Sequence, residues 1–233
     1  MEIFYTSDFW VDLLKIIWIN IILSGDNAVV IALAARSLPP KDRRLAILIG
    51  SGAAVVLRIV LTIVAAKLLE IEYLQIIGGA LLLWIGVQLL SDNEDDESDI
   101  KEHSNLRSAI FTILVADLIM SLDNVIGVAA AAKGSTLLLI IGLAISIPLI
   151  IFSSNVMMSL MSRFPWIVTL GAALIGWVSG EAIINDSAIH YFIIENPVLE
   201  LVVPVLSALF VVVLGKFLQK KNERNVDVSA GNS

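Results

Sequence analysis

Leu23-Ser24-Gly25-Asp26-Asn27-Ala28-Val29 and Met120-Ser121-Leu122-Asp123-Asn124-Val125-Ile126 are two copies of one motif, each set inside a long apolar run. Two further landmarks follow each copy in the same order. Leu45 to Gly50 matches Leu137 to Gly142, and Gly78-Gly79-Ala80, followed by Trp84 and Gln88, matches Gly171-Ala172-Ala173, followed by Trp177 and Glu181. The three together define an internal repeat.

The apolar runs around these landmarks fall at roughly 10–35, 45–66, 73–90, 107–132, 137–161, 166–184 and 198–218. Each is long enough to cross a hydrocarbon core of about 30 Å, which takes roughly 20 helical residues. Hydrophobic residues make up 58% of the 233 and charged residues 16%, where soluble domains hold about 45–50% and about 25%. The mean hydropathy of +0.92 agrees. A soluble globular domain is excluded, and the lipid bilayer is the chain's first partner.

Each repeat holds three runs. An odd number threads the second copy through the membrane in the opposite sense to the first, as in many secondary transporters. The expected fold is therefore an all-α membrane protein of seven transmembrane helices, built from two inverted-topology three-helix repeats plus one extra C-terminal helix. Residues 1–90 form the first repeat and 91–106 an acidic loop with seven carboxylates between Asp92 and Glu102. Residues 107–184 form the second repeat, 185–197 an outer loop, 198–218 the seventh helix and 219–233 a disordered tail.

Seven spans put eleven Lys and Arg residues, among them Arg36, Lys41, Arg43, Arg44 and Arg107, on one side, and Lys15, Lys67 and Lys133 on the other. By the positive-inside rule the N-terminus lies outside and the C-terminus in the cytoplasm, with the chain in the cell's inner (cytoplasmic) membrane. Glu2, Asp8 and Asp12 give the N-terminus the wrong charge for a cleaved signal peptide. A net charge of −7 argues against nucleic acid as a partner. The absence of cysteine removes disulfides and thiolate metal sites. A homodimer is compatible with the sequence, which does not fix the oligomeric state.

Asp26, Asp117 and Asp123 fall well inside expected spans, with Glu181 toward the outer end of another. A carboxylate at mid-bilayer costs about 2.5–3.5 kcal/mol, so three cost about 7–10 kcal/mol unless protonated, paired or bound to a cation. At about 100° per residue, Asp117, Ser121 and Asn124 share a stripe, and their repeat partners Asn20, Ser24 and Asn27 share another. Asp26 and Asp123 sit off those stripes on regular helices. Gly25 suggests a local break that turns Asp26 inward, whereas its counterpart Leu122 gives less reason for one. Helix-to-helix hydrogen bonding explains Ser and Asn as well as a ligand role does, but explains Asp poorly.

Carboxylate, amide and hydroxyl oxygens suit a hard divalent cation such as Mn²⁺, Mg²⁺ or Ca²⁺. The metal-ligand set is Asp26, Asp117, Asp123, Asn27, Asn124 and Glu181, with no catalytic residue and no permanently bound cofactor. Arg58, alone inside a span, reads equally as a counter-ion or a packing residue. Asp186, His190 and Glu195 read as a solvated loop before they read as an exit path for an ion.

Ser24-Gly25-Asp26-Asn27-Ala28 and Asp117-Leu118-Ile119-Met120-Ser121-Leu122-Asp123-Asn124-Val125 resemble the paired motifs of the TerC family of integral membrane proteins, closest to its short YjbE/YkoY-type branch. The resemblance covers about residues 8–218. It implies membership of the LysE-like transporter superfamily and a role in manganese efflux, with Mn²⁺ as transported substrate. By position it makes Asp26, Asp117 and Asp123 the metal ligands, with Asn27 and Asn124 as neighbours.

The expected function is a secondary transporter exporting a divalent cation in exchange for protons, since no GxxxxGK[ST] loop offers ATP as a drive. An exporter of another small solute such as an amino acid, and a non-transporting partner in metallation of exported proteins, are the alternatives. An intramembrane aspartyl protease would need Gly-x-Gly-Asp where this chain has Leu23-Ser24-Gly25-Asp26, so no enzymatic activity is expected.

Overall fold

The computed structural model describes residues 7–22, 25–68, 71–91, 106–132 and 135–230. All regular structure among them is helical: α1 (Ser7–Ile22), α2 (Gly25–Ala35), α3 (Pro40–Leu68), α4 (Leu74–Ser91), α5 (Leu106–Ala132), α6 (Thr136–Arg163), α7 (Trp166–Ile184), α8 (His190–Glu195) and α9 (Leu199–Ala230). Local signals fix several ends. Pro40 opens α3 as its first residue, where a missing N–H costs nothing. Ser135 caps α6 by accepting from Leu138 N at 3.3 Å.

Five helices are long and apolar enough to cross a membrane: Pro40–Val64, Leu74–Ser91, Thr136–Arg163, Trp166–Ile184 and Leu199–Asn222. The other two expected spans are the ones that carry the Asp-Asn motifs. The first is described as α1 and α2, of 16 and 11 residues, on either side of Leu23 and Ser24, which lie outside the described residues, so the break expected at Gly25 is not tested. The second is the 27-residue α5, unbroken through Leu122 and holding Asp117 and Asp123. Two expectations need correcting. The outer loop contains α8, and the tail is helical to Ala230, because Gln, Lys, Glu and Arg favour helix and no Gly or Pro intervenes before Gly231. The acidic loop from Asp92 lies outside the described residues.

α3 and α5 run parallel in constant register. Ala46 clusters with Ala109, Gly50 faces Ile113, Arg58 bonds Asp117 and Ser121, and Leu61 packs with Leu122 and Val125. Across the molecule α6 meets α1 in the same way, with Gly142 against Ile16. On the other flank α7 lies antiparallel to both α4 and α9 through glycines. A Cβ on Gly176 would meet Ala208 Cα at 2.7 Å, and one on Gly180 would meet Pro204 Cα at 2.5 Å. Pro204 has no N–H, so Gly180 can approach its nitrogen without orphaning a donor. Ser179 fixes the register by donating to the Gly79 carbonyl.

Small residues let membrane helices approach closely where no hydrophobic drive exists. Gly180→Ala is therefore expected to cost about 1–3 kcal/mol, since backbone must move. Gly52→Ala, which would meet nothing within 4 Å, is expected to be neutral or stabilising. Thermal unfolding of both variants in detergent checks the contrast.

Asp186, just beyond α7, is corrected from solvated loop to buried cap. Its carboxylate accepts from the backbone N–H groups of Tyr73 (3.0 Å), Gln75 (2.9 Å), Ile76 (3.1 Å) and Ala188 (2.8 Å). It thereby does for α4 what an N-cap side chain does, from more than a hundred residues away. Burial alone would raise this carboxyl's pKa, but the four donors outweigh burial and hold it below the usual carboxylate range. Tyr73, at φ 67°, is held in the left-handed region beside this cap. Glu195 is exposed, and the side chain of His190 lies outside the described residues.

Candidate functional site

The α3/α5 register brings Arg58 against the polar stripe of α5. Arg58 Nη2 donates to Asp117 Oδ1 at 2.6 Å and Nε to Ser121 Oγ at 2.9 Å, while Ser121 Oγ donates to Asp117 Oδ2 at 3.3 Å. Arg58 and Asp117 are 1% and 6% exposed, so the pair is shielded from water on every side. Of the two roles open to Arg58, the geometry selects counter-ion. Asp117 and Ser121 share a face as their spacing predicts, but that face is already engaged by a guanidinium.

Asp26 stands in the first turn of α2. Its Oδ1 accepts from Asn27 N at 2.8 Å, and it lies within electrostatic reach of both Arg58 and Asp117. A carboxylate is favoured there by the positive end of the helix dipole. Asn27 is 2% exposed, and neither its amide nitrogen nor its carbonyl oxygen has a partner among the described residues. Ser51 Oγ is likewise buried and unpartnered, two turns before Arg58 and within about 20° of it around α3.

A cavity of about 580 Å³ opens beside Asp26. Its polar lining is Asp26, Asn124, Glu181, Asn185 and Glu200; Ile119, Met120, Val178 and Ile193 supply apolar wall. The cavity runs from the end of the bundle where α7 finishes and α9 begins to Asn124. That residue is eight positions inside the C-terminus of α5, about 12 Å at helical rise. Glu181 is held in place by Trp177, whose Nε1 donates to its Oε1 at 2.7 Å.

Of the expected set, Asp26, Asn124 and Glu181 share this cavity, whereas Asp117 does not line it and is tied to Arg58. Asn27 is buried but does not line it, and the side chain of Asp123 lies outside the described residues. Among the described residues no three His, Cys, Asp or Glu side chains form a ready metal cluster. Sequence reading missed Asn185 and Glu200. Glu200 carries the signature of an ordinary acidic first turn, and the antiparallel packing of α9 on α7, with Gly180 against Pro204, brings it to the cavity.

Comparison with known proteins finds membrane proteins. The uncharacterized membrane protein YjbE of Bacillus subtilis (strain 168) is 42% identical over 213 residues, covering 91% of this chain and 97% of its own. The uncharacterized membrane protein YkoY of the same organism is 26% identical over 189 residues, 72% of this chain and 58% of its own. The UPF0053 inner membrane protein YoaE of Escherichia coli (strain K12) is 23% identical over 189 residues, and the match spans 36% of that longer protein. No solved structure matches. The model of the integral membrane protein TerC family matches residues 5–223. With nearly its whole length inside that match, the chain belongs to the TerC family of integral membrane proteins and crosses the membrane more than once.

Proposed function

We propose that this protein is a secondary transporter that exports a divalent metal cation, manganese foremost, across the cytoplasmic membrane in exchange for protons. The observation that carries the reading is one polar cavity inside a lipid-embedded fold, to which the first repeat gives Asp26 and the second gives Asn124 and Glu181. Carboxylate and amide oxygens, with no thiolate or imidazole among the described lining residues, match a hard cation.

An inverted repeat is supported by paired contacts. Gly50 against Ile113 and Gly142 against Ile16 are one contact seen twice, once the repeat register carries Gly50 to Gly142 and Ile16 to Ile113. Seven spans with the N-terminus outside and the C-terminus in the cytoplasm follow when α1 and α2 cross together and α5 counts as a span. Export from a negative interior works against about 4.6 kcal/mol per 100 mV for two charges, and protons entering on the same carboxylates would supply the drive.

An amino-acid exporter would need a cationic group or a free helix N-terminus for the substrate carboxylate. Arg58, the cation that lies inside an expected span, already bonds Asp117 and Ser121, which disfavours that reading.

The test is radiolabelled Mn²⁺ efflux from vesicles carrying wild-type protein or Asp26→Asn, with Mg²⁺, Ca²⁺ and Zn²⁺ as competitors. Wild type is expected to move Mn²⁺, with Asp26→Asn reducing the rate by about a hundredfold, the scale of roughly 2.7 kcal/mol. Purified wild-type protein that moves no ion would favour the role of a non-transporting partner in metallation of exported proteins.

A further inference from the structure

The buried ion pair of Arg58 and Asp117 has no charged counterpart in the other repeat. The register that pairs Gly50 with Gly142 sets Arg58 opposite Ile150, and Asp117 opposite Asn20. Ile150 is buried, at 7% exposure, in the main hydrophobic core. The fold therefore packs this position with an apolar side chain in one half and places a permanently charged guanidinium there in the other. Helix packing alone does not call for Arg58.

Its position instead bears on the cavity. Arg58 is 1% exposed, so water does not screen it, and it bonds Asp117 and Ser121, which flank the cavity-lining Ile119 and Met120 on α5. A cation arriving beside Asp26 meets carboxylates whose negative field is already reduced by one charge. A transport site has to hold its ion firmly enough to load it and loosely enough to release it.

Resting on the transporter reading above, we infer that Arg58 is an affinity-setting residue: a tethered cation that weakens the hold of the Asp26 cavity on a multivalent cation so that the ion can leave. Arg58 acts through the field it imposes and through Asp117, without touching the ion. Because Coulomb energy follows the product of charges, its effect has to grow with the valence of the ion. A purely structural role would produce no such scaling.

The test is equilibrium binding of Mn²⁺ and Gd³⁺ to the purified full chain. Arg58→Met is expected to tighten Mn²⁺ about tenfold and Gd³⁺ about thirtyfold, the three-to-two ratio of charges on a logarithmic scale. Arg58→Met leaves Asp117 buried without its partner. In case it does not fold, the same comparison is made between Asp117→Asn and Asp117→Asn/Arg58→Met, where the double variant carries no orphaned charge. The double variant is expected to bind more tightly than Asp117→Asn, by the same valence-dependent ratio.

Unchanged or weaker binding on removal of Arg58, or equal tightening of both ions, would overturn the inference while leaving the transporter reading intact. Wild-type protein that binds neither ion would remove that reading, and this role with it.

Discussion

Arg58→Met is expected to lower the unfolding free energy by about 3–5 kcal/mol, the usual result of removing one partner from a buried ion pair. The loss has two parts. Asp117, 6% exposed, is left without its partner at 2.6 Å, and Ser121 loses the Nε donor at 2.9 Å. Removing both charges together, as in Arg58→Met/Asp117→Leu, is expected to recover most of that loss, because no orphaned charge remains and the volume is filled by apolar atoms. Chemical unfolding in detergent, followed by circular dichroism, measures both. A single variant as stable as wild type would mean that the pair is solvated or unformed, and the counter-ion role would fall.

Asp186→Ala is the second large effect. Four backbone N–H groups converge on this carboxylate, and each one orphaned in a buried position costs about 1–3 kcal/mol when water does not replace it. Asp186 is 1% exposed, so a loss of about 3 kcal/mol or more is expected, in line with a lost helix cap plus two further donors. Asp186→Asn keeps an acceptor and should lose less. The pH dependence has a fixed sign. A carboxylate whose folded pKa is held below its unfolded value contributes stability that is complete above the unfolded value and lost as pH falls through the folded one. Stability of wild type should therefore decline in acid below about pH 4, and that part of the decline should be missing in Asp186→Ala. Parallel acid titrations of the two proteins test this.

Much of this architecture is legible in the sequence because lipid imposes a simple rule: backbone groups must be satisfied within a helix, so long apolar runs announce themselves. The boundaries of α3, α4, α6 and α7 follow from that rule within a few residues. The stripe of Asp117 and Ser121 was legible from helical spacing, yet its partner was not. Nothing local ties Arg58 to residues some sixty positions later, and only the α3/α5 register makes the link. Asp186 was misread for the same reason, because a cap supplied from another loop leaves no mark beside the helix it caps. Glu200 looks like any acid in a first helical turn, and its place at the cavity depends on how α9 packs against α7. Close helix contacts through Gly176 and Gly180 were hidden too, since glycine in a span says that something approaches but not what.

The central claim is that acids from the two repeats serve one cation site, and equilibrium binding of radiolabelled Mn²⁺ to purified wild type, Asp26→Asn, Glu181→Gln and the double variant tests it most directly. Each single variant is predicted to weaken binding by about tenfold or more, near 1.4 kcal/mol, and the double to fall short of the sum because the two residues share one ligand. Binding that survives both substitutions unchanged would contradict the claim.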